Sequence, residues 1–262
     1  METLDLSNTN LTTLNGVVFP ESLKELRLDR NQFTSIDGIV FPESLQYLSL
    51  SRNKITSLND VVFPKSLQKL FLYRNQITSL NGAVFPESLI LLYLWNNQIT
   101  SLDGVVFPES LTYLSISHNQ ITSLSGVVFP ESLRELNLDH NRITSLDGVV
   151  FPESLQVLHL EHNQITSLSG VVFPKSLQNL SFFGNLLPKY ENTLKKYRIL
   201  EKVRIRIAFS KIKNWYTWGP RYRKRMQWVH HQIVHRPYGQ GGNPGPGMAG
   251  VEFRRLLKMA KK

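Results

Sequence analysis

The sequence predicts an α/β solenoid: a curved stack of about nine short coils with a parallel sheet on its concave side. Three observations predict it. The dipeptide Phe-Pro recurs at 19–20, 41–42, 63–64, 85–86, 107–108, 129–130, 151–152 and 173–174, always 22 residues apart. Each period carries leucines spaced as Leu45, Leu48 and Leu50. An asparagine then follows at Asn31, Asn53, Asn75, Asn97, Asn119, Asn141, Asn163 and Asn185. A period of that length marks a small unit that cannot bury its apolar face alone, so its copies must stack.

The unit at 45–66 shows how each element arises. Leu48 and Leu50 alternate around Ser49, the signature of a short strand with two leucines facing inward. Asn53 ends the strand, where its side-chain amide can satisfy backbone groups that the turn would leave buried and unpaired. Ile55, Leu58, Val62 and Phe63 are expected to fill the rest of the interior. Pro64 removes a backbone donor and stops extended pairing, so the convex return segment should be short 3₁₀ or extended structure. The first strand, within 2–7, departs from the pattern: Thr9 stands where the asparagine belongs. No amphipathic cap precedes it, which leaves the sheet edge there open or covered by another chain.

The segment LxxLxLxxNxI, seen as Leu45 to Ile55 and seven more times, with Phe, Ile or Leu exchanged at apolar positions in three of those copies, resembles the leucine-rich repeat family over about 2–187. The near-identical stretches Thr-Ser-Leu-x-Gly-Val-Val-Phe-Pro-Glu-Ser are similar in style to leucine-rich repeat proteins of marseillevirus-type giant DNA viruses. That second resemblance implies an infected cell or a virion as the setting.

The outward strand positions change at every repeat while the return segments barely change, so recognition is expected on the sheet face. Tyr47, Phe71, Tyr73, Leu91, Tyr93, Trp95 and Tyr113 fall on neighbouring strands and predict one aromatic patch at the middle of the concave face. Patches of that kind mark interaction sites, and Tyr and Trp are favoured anchors. The plainer reading is an aromatic ladder that only stiffens the sheet. A further column reads Arg30, Arg52, Arg74, then His118, His140, His162, beside Asp139 and Glu161. The arginines are candidate anion contacts. The histidines read as solvated turn residues, because metal geometry is demanding.

Charge divides the chain. Residues 1–185 carry 11 Lys+Arg against 17 Asp+Glu, a balance of −6, whereas 186–262 carry 19 against 3, a balance of +16. The sequence accordingly divides into a solenoid at 1–187, a capping helix at 188–213 and a basic aromatic tail at 214–262 with a Gly/Pro linker at 237–250. In the tail, Trp215, Trp218 and Trp228 are interleaved with Arg221, Arg223, Lys224 and Arg225, a pattern suited to nucleic acid or to an acidic protein surface. Tyr222, Met226, Val229 and Ile233 share one helical face, and 251–262 is a second basic amphipathic candidate. The acidic partner of the tail can also be the chain's own solenoid.

No cysteine is present, which favours a reducing, intracellular setting. Residues 1–10 have neither the basic start nor the apolar stretch of a signal peptide, and no window is long and apolar enough to span a membrane. No phosphate loop, zinc-protease motif or cysteine nucleophile occurs, so no catalytic residue, metal site or cofactor is expected. The reading is a non-enzymatic scaffold that binds a protein or peptide on its concave face and anchors its tail to an acidic partner. The alternatives are a structural component of a virion or other large assembly, and a nucleic-acid-associated recruiting protein.

Overall fold

The computed structural model describes residues 2–168 and 170–187. The leucine pairs form nine short strands: β1 (Thr3–Asp5), β2 (Glu25–Arg27), β3 (Tyr47–Ser49), β4 (Lys69–Phe71), β5 (Leu91–Tyr93), β6 (Tyr113–Ser115), β7 (Glu135–Asn137), β8 (Val157–His159) and β9 (Asn179–Ser181). They make one parallel sheet in strict chain order. Each residue pairs with the one a full repeat later, so Leu48 meets Leu70 and Leu70 meets Leu92. The strands are short because the third residue beyond each one turns left-handed, as Arg52 does at φ 58° and His118 at φ 52°. Extended pairing cannot continue through that conformation.

In the third coil, Leu45, Leu48, Leu50, Ile55, Leu58, Val61 and Phe63 are buried together, and the same set recurs along the stack. One expectation fails in this segment. Val61, not Val62, faces the interior, and Val62 is 77% exposed. Side chains alternate along an extended segment, so with Phe63 inside its immediate neighbour must point out.

Stacking distances give the curvature. The return-segment phenylalanines stack with centroids 5.9–6.5 Å apart. Rings on the sheet face stack at 4.5–4.9 Å. Coils splayed on one side and close on the other place the sheet on the concave surface.

Two polar ladders hold neighbouring coils together. Asn53 accepts from the Phe33 amide at 3.2 Å and donates to the Leu28 and Leu50 carbonyls, each at 2.9 Å. On the return side, Ser88, Ser110, Ser132, Ser154 and Ser176 each donate to a leucine carbonyl of the preceding coil at 2.7 Å. Thr9 does half of an asparagine's work: its hydroxyl donates to the Leu6 carbonyl at 2.6 Å. The Phe-Pro step ends in a tight turn, with the Leu67 amide bonded to the Pro64 carbonyl at 3.1 Å. No helix forms among the described residues, in keeping with the expected short or extended return segments. Leu4 and Leu6 are only half-buried, since β1 is the sheet edge among the described residues. The expected capping helix at 188–213 and tail at 214–262 lie outside the described residues.

Candidate partner-binding face

The parallel register brings the predicted aromatic residues together. Tyr47, Phe71, Tyr93 and Tyr113 form one run across four strands, with successive centroids 4.9, 4.7 and 4.7 Å apart. The run is diagonal: Tyr47 and Tyr113 precede the central leucine of their strands, whereas Phe71 and Tyr93 follow it. Tyr73 and Trp95 stack beside it at 4.5 Å and nearly coplanar, 5° apart. Leu91 lies in register between Lys69 and Tyr113. All seven side chains are half-buried, so each keeps part of its surface exposed.

Small residues bracket this patch. Ser49 and Ser51 follow Tyr47, Ser115 and Ser117 follow Tyr113, and all four are buried. Burial raises the Tyr47 and Tyr93 hydroxyls above their ordinary range and pushes Tyr113 up to about 12. These phenols therefore stay neutral at every physiological pH and act as hydrogen-bond donors and acceptors.

Arg30, Arg52 and Arg74 stand at the strand ends and are exposed, each in the left-handed region at φ 54–58°. The Arg74 guanidinium lies 5.4 Å from the Trp95 ring centroid, and Arg27 lies 5.6 Å from Tyr47. The two salt bridges formed among the described residues, Lys24 with Glu2 and Arg27 with Glu25, use none of the three. Arg30, Arg52 and Arg74 thus stand as exposed cations along three consecutive coils, from the one before Tyr47 to that of Tyr73.

Further along the same column, the His118, His140 and His162 rings stack at 4.1 and 4.4 Å. Burial, then the two flanking imidazoles, lowers the His140 pKa below its ordinary value. Among the described residues no cluster could hold a metal ion. In sequence Asp139 stands with His140, Glu161 and His162 as the one acid/base cluster, on an open face without the enclosed pocket that chemistry needs. Its carboxylate accepts the Glu161 amide hydrogen at 2.5 Å, and burial, opposed by that bond and aided by the Glu161 charge, raises its pKa to about 7. The tail residues Trp215, Trp218, Arg221, Arg223, Lys224, Arg225 and Trp228 lie outside the described residues.

Family models agree with this architecture. The model described as "Leucine rich repeat" matches residues 21–77, 43–88, 87–130 and 131–187, and a two-copy model matches 109–152. The chain belongs to the leucine-rich repeat family. No curated relative matches it by sequence. Among solved structures, this leucine-rich repeat chain is similar to YopM from Yersinia enterocolitica, at 28% identity and TM-score 0.60 over 71% of this chain and 38% of that one. It is similar to an internalin from Listeria monocytogenes at 26% identity and TM-score 0.62, over 73% of this chain and 57% of that one. A third is the toll-like receptor in a TLR13–ssRNA13 complex, at 29% identity and TM-score 0.52, covering 62% of this chain and 26% of that one. The chain thus spans well under two thirds of the length of each. Leucine-rich repeat solenoids commonly serve as interaction scaffolds, typically without enzymatic activity. No helix among the described residues is long and apolar enough to cross a membrane.

Proposed function

We propose that this protein is a non-enzymatic scaffold that seats a protein or peptide on the aromatic centre of its concave face. The carrying observation is the diagonal run Tyr47, Phe71, Tyr93 and Tyr113 with Trp95 beside it, half-buried and stacked on the open side of the sheet. Aromatic rings fixed in place contribute large contact area at little entropic cost, and central Tyr and Trp residues dominate interface energies. Arg30, Arg52 and Arg74 along the edge favour a partner segment with acidic side chains next to its apolar ones. The basic 188–262 segment anchors the scaffold to an acidic partner. Exchanging Tyr93 and Trp95 for Ala, with co-purifying proteins compared by mass spectrometry, tests the patch. The partner should be lost while the melting temperature changes little; retention at native affinity refutes the reading.

A nucleic-acid partner is the second reading, favoured by the interleaved Trp and Arg residues of 214–262. A salt titration followed by tryptophan fluorescence separates it, because each phosphate contact on duplex DNA contributes about −0.9 to the log–log slope. The third reading, a virion or assembly component inside an infected cell, is supported by the style of the repeat and by the same charge asymmetry.

A further inference from the structure

A second surface lies on the return side of the coils, where the aromatic patch does not reach. One valine per coil, from Val18 to Val172 at 22-residue intervals, points outward, and each of the eight is 74–91% exposed. Scattered exposed apolar residues need no explanation, but an unbroken row of eight in register is an apolar stripe. The backbone asks only for a residue that tolerates extended geometry, and threonine would serve equally without placing two methyl groups in water.

The stripe has acidic margins. Glu21, Glu43, Glu87, Glu109, Glu131 and Glu153 stand three residues after their valines, and Asp37, Asp103 and Asp147 three residues before. All nine line the stripe's margins, against two lysines, Lys65 and Lys175, in the same columns. Two copies of such a stripe would set acid against acid, so the fitting occupant is a basic amphipathic segment.

This chain carries one. The phenylalanines next to the valines repeat every 5.9–6.5 Å. A helix whose apolar residues recur every three to four positions presents them roughly 4.5–6 Å apart, close to that interval. Tyr222, Met226, Val229 and Ile233 have that spacing, with Arg221, Arg223, Lys224 and Arg225 among them. We propose that the valine stripe is the docking site for this chain's own 221–236 segment, laid along the coils with its apolar face on the valines and the flanking Arg221, Arg223 and Arg225 against the glutamates. Tethering to the same chain gives the segment an effective concentration on the order of millimolar, ahead of any free copy. The inference rests on the reading that the basic segment seeks an acidic surface, and names that surface; it is independent of the concave patch.

The test uses the full chain. A carbodiimide joins carboxylates to lysine amines that touch, and Lys224 lies opposite the apolar face, so the probe is an Arg225→Lys chain: residue 225 flanks that face, and its cross-links should run to Glu87, Glu109, Glu131 or Glu153. Exchanging Val84, Val106, Val128 and Val150 for Thr should lower their yield by about tenfold or more, with the circular dichroism and melting curve unchanged. Should that variant unfold, Glu109→Lys with Glu131→Lys asks the same question through charge alone, read at the remaining carboxylates Glu87 and Glu153. Yields unchanged in both variants overturn the proposal. So do cross-links that join only differently labelled copies, which make a second copy's segment the occupant. Cross-links from residue 225 to other solenoid carboxylates overturn the stripe but keep the acidic-surface reading; none on the solenoid at low salt overturns both.

Discussion

Replacing Asn97 with Ala isolates the polar ladder, because three bonds meet at that one side chain. Its amide nitrogen donates to the Leu72 carbonyl at 3.0 Å and the Leu94 carbonyl at 2.9 Å, and its oxygen accepts from the Ile77 amide at 3.0 Å. Each buried bond contributes about 0.5–1.5 kcal/mol net, and an N–H left buried without a partner costs about 1–3 kcal/mol. The substitution should therefore destabilise by roughly 3–6 kcal/mol, a large part of the ~5–15 kcal/mol that holds a domain together. Coils contact only their neighbours, so the loss should be local. Hydrogen exchange should show amides of the two coils flanking Asn97 losing protection first. Urea denaturation of the full chain gives the magnitude, with the exposed neighbour Gln98→Ala as a control expected within about 0.5 kcal/mol. Asn97→Asp retains the acceptor but turns a carboxylate towards two carbonyls, so at neutral pH it should be at least as damaging as Ala. If both variants stay within about 1 kcal/mol of wild type, the side-chain amides do not hold the coils together, and the cohesion of the stack must come from its leucines alone.

Two smaller perturbations test other parts of the coil. Asp60 occupies at φ 60° the turn position that glycine holds in the other described coils, at φ 71–83°. Asp60→Gly should raise stability by about 0.5–1 kcal/mol, and a lowered melting temperature would contradict the strain argument. Asp139 has a folded-state pKa of about 7 against 3.8. The native chain therefore holds that proton more tightly, and the contribution is full below about pH 4 and lost as pH climbs to about 7. Lowered pKa at His140 acts the opposite way, costing stability as pH falls through its unfolded value, so the informative quantity is the difference between two profiles. Asp139→Asn should gain on the order of 1–2 kcal/mol over wild type at pH 8 and nothing at pH 4, and parallel profiles would refute it.

The repeat was legible because its signal is periodic: strand positions, the asparagine ladder and the return phenylalanines could each be read from comparison of the chain with itself. The seven concave residues were legible for the same reason, since 22-residue register fixes which side chains become neighbours. The diagonal of the aromatic run was not, because it depends on which way each ring leans over a buried serine. The valine stripe was missed although strand alternation contained it. Two adjacent valines beside a buried phenylalanine look like interior from composition, and only the in-out count separates Val61 from Val62. Asp139 was legible as part of an acid/base cluster with His140, Glu161 and His162, but the size of its pKa rise was not, because it depends on burial and on the Glu161 amide and charge brought in by the next coil.

The left-handed column ties the arginines to function more firmly than their charge does. All nine positions, from Asn8 to Gly184, lie at φ 52–76°, a conformation the turn imposes. Glycine and asparagine enter it readily and histidine is enriched there, but arginine has no conformational reason to be present. Arg30, Arg52 and Arg74 each hold a strain of about 1 kcal/mol that Gly or Asn would relieve. Arg52 and Arg74 belong to the coils of Tyr47 and of Phe71 and Tyr73, and Arg30 to the coil before them, whereas the coil of Tyr93 and Trp95 carries Asn96 and that of Tyr113 carries His118. The Arg74 guanidinium reaches across to the Trp95 ring. Strain retained along the N-terminal half of the patch, with one guanidinium laid over Trp95, is what a rim selected for its guanidinium groups would show. Exchanging all three arginines for Asn should raise thermal stability and weaken partner binding together, two changes that a purely structural column would not couple.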